Sequence, residues 1–519
     1  MVSISNSPIA SATAAIGAAT LVLLIALKKK KERCIRRGNF PSSSPWFLPS
    51  FDLLFLIRAA GSLDKFVADR AKALKSDTFY IRIPGLNEIL VVTNPKDQAE
   101  VMRKEGKLNF IVDMPDTLND THGPGSLQAL NGTKHNFFRK IFASVLHPSA
   151  LESFTPYLHE AFNNMWKEIE DQCSSNASDT VVIQDAICKT QFFLMAKILY
   201  GMTPQNTSME IMLQLRDDFE AQLEGHFSSR GSDKFKKAKE GSERIHKILA
   251  DKFDSVLKER RALYHQDNCD EEKKEGSEVN HGSIGNAMEL VADALLKEGV
   301  DTDPQVLSET IDNLDLLLEA SHGTTMTVTT STLYYLNLPG NKGKLDKLRS
   351  EMKELRSEPS YTQMKINMTY ADAVIKESMR LCPIIVQIGY KSNEEMSFSL
   401  QGQKLQAPIS IQLSFGQNFT DEKFFPQPDR FIPERWLSED SDIYVSDEAR
   451  KAFMPFGAGR HLCLGFKLAD LVLKSALYCF ACDEERVIEF DHSNVAKKAG
   501  IFPSYSISDG FPGRVTKMK

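Results

Sequence analysis

Residues Phe456 to Gly465 read FGAGRHLCLG, a glycine-studded loop that delivers Cys463 to the start of an apolar, helix-forming run, LGFKLADLVLKSALYCF. A thiolate placed there gains from the helix dipole and from backbone N–H groups that have no intrahelical acceptor. Gly457 and Gly459 allow a sharp turn and a close approach to a flat partner. A lone cysteine beside a helix is usually a small core residue. The company this one keeps argues otherwise.

The loop resembles the haem-ligand signature of the cytochrome P450 family, F-G-x-G-x-R-x-C-x-G, with Phe456, Gly457, Gly459, Cys463 and Gly465 in place. His461 stands where the family's basic residue is expected and Arg460 lies one position upstream, an order similar to that of the sterol 14-demethylases. The resemblance implies haem b as cofactor, Cys463 as its axial thiolate and metal ligand, and Arg460 or His461 as a partner of a haem propionate.

Two further elements occur in the family's order. Glu377 and Arg380 in VIKESMRLCP are three residues apart on a helical segment and share a face. Alone such a pair means little, because exposed pairs at this spacing are common and worth only ~0.3–0.5 kcal/mol. Here FIPERW follows at Phe431 to Trp436, ahead of the cysteine loop. By resemblance Glu377, Arg380 and Arg435 form a buried structural triad beside that loop.

Upstream, Pro304 to Leu336 is long enough to cross a domain as one helix, and its middle reads EASHGTTMTVTTSTLYYL. Threonine is a poor helix former, so a run this rich in it implies a benefit of another kind. The stretch resembles the family's oxygen-activating motif when Ala320 to Thr325 are placed in order, and it continues like the retinoic-acid hydroxylases. Thr324 and Thr325 then occupy the alcohol positions, Gly323 replaces the usual acid, and His322 is a candidate substitute relay. His135 and Arg139 in NGTKHNFFRK, together with Lys391 in IGYKSN, match positions at which the family contacts the propionates.

The chain has 519 residues, 42% hydrophobic and 25% charged, with a net charge of −6. These values fit a globular body and argue against a nucleic-acid partner. The eight cysteines lack zinc or disulfide spacing, which fits a reducing compartment. Pro8 to Leu27 is uncharged and about as long as a ~30 Å hydrocarbon core requires; KKKKERCIRR follows it, and no Lys or Arg precedes it. The expectation is an anchor and basic stop at residues 1–38, a proline-rich hinge at 39–50, and a haem-thiolate catalytic domain at 51–519. The endoplasmic reticulum membrane, with the catalytic domain facing the cytoplasm, is the expected location; an organellar membrane is the alternative.

Periodicity predicts a mainly α fold with a smaller β region. Short strands are expected in DTFYIRIPGLNEILVVTN, a hairpin around Gly402, an exposed loop at Asp267 to Gly282, and strand and turn near SISDGFPGRV. The resemblance implies the cytochrome P450 fold and a monooxygenase that uses dioxygen, an NADPH-dependent reductase and an apolar small-molecule substrate. Sterols, steroids, isoprenoids and fatty acids all qualify. FIVDMPDTLNDTHGPG does not reproduce the sterol demethylase substrate signature. A haem-thiolate isomerase or dehydratase, acting on a lipid peroxide without external electrons, and a haem sensor without turnover remain open.

Overall fold

The computed structural model describes residues 40–42, 63–82, 88–104, 111–175, 180–226, 228–271, 285–355, 358–392, 397–406, 408–437, 443–490, 498–501, 504–507 and 510–517. The expected anchor and most of the expected hinge lie outside these residues. Phe40 to Ser42 run beside the first strand, where Tyr80 N–H donates to the Pro41 carbonyl at 2.9 Å. Among the described residues no helix is long and apolar enough to cross a membrane.

The axis of the fold is the helix Pro304–Asn337. It begins where Asp303 caps the backbone N–H groups of Gln305 and Val306, with Pro304 at its first position. Its threonines survive in a buried helix because their hydroxyls turn back onto the chain: Thr327 donates to the Gly323 carbonyl at 3.0 Å, Thr329 to Thr325 at 2.8 Å and Thr332 to Val328 at 2.7 Å. Each hydroxyl is thus satisfied locally and only methyl surface is left for packing. Leu314, Leu318, Leu333 and Leu336 join it to the main core. That core also takes Leu471, Val472 and Phe480 of helix Phe466–Ala481 and Phe154, Phe162 and Trp166 of helix Pro148–Ser175. Each such side chain removed from water contributes about 1.5–3 kcal/mol.

Among the described residues, four small sheets flank the helices. β1 (Thr78–Ile81), β2 (Ile89–Val92), β3 (Ile111–Val112), β5 (Gln387–Ser392) and β8 (Ile409–Ser414) make one sheet in the order β1-β2-β8-β5-β3. Only the β2–β8 pairing in it is parallel. The expected hairpin is β6 (Ser397–Leu400) and β7 (Gln403–Gln406), with Gln401 and Gly402 both at positive φ, the backbone that a two-residue hairpin turn demands. β4 (Val181–Val182), β12 (Pro512–Lys517) and β9 (Arg486–Glu489) form a third sheet, and β10 (Lys498–Ile501) pairs with β11 (Ser504–Ile507).

The mainly α fold with a minor β region is as expected. β1 differs from its alternating pattern in being buried along its whole length, because the helix Leu63–Leu74 covers the face that alternation would leave wet. The exposed loop expected at Asp267 begins later: helix Asp233–Glu271 carries through its first five positions.

Candidate active site

The cysteine loop is built on backbone constraints. Gly457 and Gly459 both sit at φ +72°, and Cys463 N–H closes the loop on the Phe456 carbonyl at 2.9 Å. Gly459 is needed twice, because a Cβ there would lie 2.7 Å from the Met102 carbonyl oxygen. We expect Gly459→Ala to lose about 1–2 kcal/mol from the left-handed backbone alone, and more from displacing the loop off helix Pro95–Lys104. Urea unfolding of the haem-loaded enzyme measures the first loss, and haem retention reports the second.

Cys463 is half-buried, three residues ahead of helix Phe466–Ala481. Burial raises its thiol pKa, while the Gly465 N–H and the nearby Arg139 guanidinium oppose that rise. The dipole-stabilised thiolate expected from sequence is therefore not reached by the protein alone, because desolvation outweighs the backbone donors. A coordinated metal ion would deprotonate the thiol outright.

Around this sulfur the structure gathers basic groups. The His135 ring lies 4.2 Å from that of His461, and burial, with the charges of His461 and Arg139, drives the His135 pKa down to about 4. Arg460 adds to the same field from an exposed position. Such crowding of cationic groups is relieved by an anion placed among them, as the propionates of a haem would be. Lys391 is engaged elsewhere, in an ion pair with Asp113 at 2.8 Å.

The central helix has an open side at Gly323. A Cβ on Gly323 would meet no atom within 4 Å, nor would one on Gly465. Thr324 lies beside Gly323, half-exposed, its hydroxyl donating to the Ala320 carbonyl at 2.7 Å. Thr325 and His322 point the other way. Thr325 Oγ1 donates to the Ser321 carbonyl and lies 3.4 Å from Gln191 Oε1, while His322 Nε2 lies 3.0 Å from the Cys188 carbonyl. His322 is buried, its pKa is lowered by that burial, and its ring meets Phe192 edge-on. Both residues thus fasten the central helix to helix Ile183–Tyr200, because positions two apart on a helix face nearly opposite directions. The thiol ligand, the basic cluster and the open helix side fit a haem held by Cys463.

Glu377, Arg380 and Arg435 meet with their side chains at 0% exposure. Glu377 accepts from Arg380 Nε at 3.0 Å and Nη2 at 2.9 Å, from Arg435 Nε at 3.1 Å, from Trp436 Nε1 at 3.0 Å and from the Ile432 N–H at 2.9 Å. Arg380 also donates to the Phe419 and Arg430 carbonyls, and Arg435 to those of Pro426 and Gln427. The network fastens the segment around PERW to helix Thr369–Leu381, and Phe453, which leads into the cysteine loop, packs on Trp436.

Sequence reasoning passed over one buried polar cluster. His122 bridges Asp315 (Nδ1 to Oδ2, 3.0 Å) and Glu319 (Nε2 to Oε2, 2.7 Å), while His226 Nδ1 lies 3.2 Å from Glu319 Oε1. Burial alone would lower the His122 pKa, but the two carboxylates overcome it and push it up to about 10. Against the same burial penalty, the histidines hold Asp315 and Glu319 down at about 2. A legible signal existed, since Asp312, Asp315 and Glu319 fall at helical spacing among the leucines of the segment Ile311 to Ala320.

The cytochrome P450 family model matches residues 41–480. Similar proteins include cytochrome P450 26A1 of Xenopus laevis, 25% identical over 495 residues that cover 92% of each chain. Cytochrome P450 26B1 of Danio rerio is 27% identical over 74% of this chain and 70% of its own. Cytochrome P450 4d2 of Drosophila melanogaster is 25% identical over 85% of this chain and 88% of its own. In fold, the chain is similar to the retinoic-acid-bound cyanobacterial CYP120A1, with a TM-score of 0.69 at 19% identity, covering 88% of this chain and 95% of that one. With a family match spanning most of the sequence, the chain belongs to the cytochrome P450 family, the haem-thiolate monooxygenases.

Proposed function

We propose that this chain hydroxylates a C–H bond of an apolar, lipid-like substrate, with isoprenoids first among the candidates and sterols, steroids and fatty acids behind them. Dioxygen, two electrons from an NADPH-dependent reductase and two protons yield one hydroxyl group and one water. The observation that carries the reading is the Cys463 thiol in its basic surround, together with the open helix side at Gly323. The isoprenoid preference rests on the retinoic acid named for the cyanobacterial structure and on the relatives of the 26 series. The uncharged Pro8–Leu27 run and the basic stop after it support a membrane-anchored enzyme facing the cytoplasm, with the endoplasmic reticulum as its site.

A haem bound by Cys463 supplies the oxygen-activating and electron-accepting chemistry. The chain's own residues position substrate and govern water and protons. Arg139, His135, His461 and Arg460 set the charge at one edge of the site. At rest Thr324 Oγ1 donates to the Ala320 carbonyl; rotation about χ1 turns that donor toward the space beside Gly323, and water there resupplies the proton. Thr324 is the proton-moving group in this account, whereas His322 and Thr325 hold the helix.

The second reading, an isomerase or dehydratase of lipid peroxides, is favoured by Gly323, which leaves the alcohol without a neighbouring acid. Turnover with a reductase separates the two. A lipid substrate should gain one oxygen atom from labelled dioxygen as NADPH is consumed, and Thr324→Ala should cut product formation about 100-fold, the scale of a lost proton donor, while diverting electrons to hydrogen peroxide. Conversion of a lipid hydroperoxide without NADPH, unaffected by Thr324→Ala, would establish the second reading.

A further inference from the structure

Among the described residues one group of side chains can hold a metal ion through protein donors other than the haem thiolate: His122, His226 and Glu319, whose ligand atoms all lie within 4.8 Å of one another. We propose that these three residues bind a divalent transition-metal ion of the zinc type. The site would pin helices Asp116–His122 and Met209–His226 to the central helix.

The three ligand groups lie within reach of a single ion. Tetrahedral zinc with ligand bonds near 2.0–2.1 Å sets its donor atoms about 3.3–3.5 Å apart. Here Glu319 Oε1 lies 3.2 Å from His226 Nδ1, near that spacing, while Glu319 Oε2 lies 2.7 Å from His122 Nε2, a contact that an entering ion would open by about 0.6–0.8 Å. The shorter contact is an ion pair poorly aligned for a hydrogen bond, between two buried atoms, His122 Nε2 and Glu319 Oε2, that have no other hydrogen-bond partner. Donor atoms converging on a point rather than on each other produce this pattern.

A second observation is independent of the first. His122 turns its other ring nitrogen to Asp315 Oδ2 at 3.0 Å, and that oxygen also accepts from Gln222 Nε2 at 2.9 Å and lies 3.0 Å from His246 Nε2. A carboxylate that orients a histidine from behind, and is itself held by hydrogen bonds, is the usual support of a metal-bound imidazole. Binding releases the proton that His122 carries in the empty site, and Asp315 and Glu319 then match the charge of a dication held by neutral imidazoles.

Two imidazoles and one carboxylate select zinc-like ions over magnesium or calcium, which take all-oxygen shells. An open cleft of ≈ 490 Å³, lined by Pro115, Thr117, His226 and Arg230 among others, reaches the His226 edge and provides the way in. Glu319 is one helical turn ahead of Gly323, so an ion there would stiffen the wall next to the open side of the central helix.

Equilibrium dialysis of the haem-loaded full chain against zinc ions, read by elemental analysis, tests the site. Wild type should retain one zinc per chain, and so should the exposed-site control His147→Ala. His226→Asn and Glu319→Gln should each lose the ion, and Asp315→Asn should bind about 10–100-fold more weakly. Zinc should raise the melting temperature of wild type but of neither ligand variant, a comparison that remains valid even where a variant starts less stable. The zinc-edge X-ray absorption spectrum should show nitrogen and oxygen neighbours. Zinc retention equal in wild type and in the His226→Asn/Glu319→Gln double variant, or a sulfur neighbour, would overturn the proposal and leave the cluster a buried ion-pair network.

Discussion

Glu377→Gln is expected to cost about 3–5 kcal/mol of stability and to yield enzyme that does not retain haem. The native carboxylate accepts five hydrogen bonds, from two guanidinium groups, the Trp436 indole and the Ile432 backbone, at a place with no access to water. A glutamine of the same shape keeps one carbonyl oxygen but turns an NH2 group toward donors and removes the only negative charge of the triad. Arg380 and Arg435 are then two buried cations, and water cannot solvate them. Exposed pairs offer the contrast: Lys258 and Asp254, which meet at 2.6 Å on the surface, should be worth at most about 1 kcal/mol. Haem loss follows because Trp436, one of the donors to Glu377, packs on Phe453 at 4.7 Å between ring centres, just ahead of the cysteine loop. Urea unfolding together with the haem-to-protein absorbance ratio measures both effects. A variant with native stability and full haem content would show the triad to be dispensable.

Much of this architecture is legible in the chain because its signals are local. The positive-φ turn of β6 and β7 is written in Gln401-Gly402, and the start of the central helix in Asp303-Pro304. The triad is legible for another reason: its members repeat a family order, although nothing in an E-x-x-R spacing alone says that the pair is buried. What escaped the sequence depends on which way a helix faces. His322 and Thr324 are two residues apart, and only the packing of helix Ile183–Tyr200 decides that the first meets Cys188 and the second the open side. The thiol of Cys463 shows the same limit in electrostatics, since its position ahead of a helix was readable but the depth of burial that raises its pKa was not. In the cluster of His122, His226, Asp315 and Glu319 the acids share a legible helical spacing, but the histidines come from two segments far away in sequence, and no linear spacing brings them to those acids.

The second large effect is that of Cys463→Ser, which should abolish reductase-supported turnover while leaving the fold intact. The change replaces sulfur by oxygen in a half-buried loop, so the loop closure from Cys463 N–H to the Phe456 carbonyl, a backbone bond, is untouched. What disappears is the soft anionic donor, with its Gly465 N–H and its neighbouring Arg139. The decisive measurement is the reduced, carbon-monoxide-bound difference spectrum of wild type beside that of Cys463→Ser. The account predicts a red-shifted thiolate-type Soret band in wild type and its absence from the variant. A wild-type protein that is folded and loaded with haem yet lacks that band, or a variant that keeps it, would contradict Cys463 as the axial ligand.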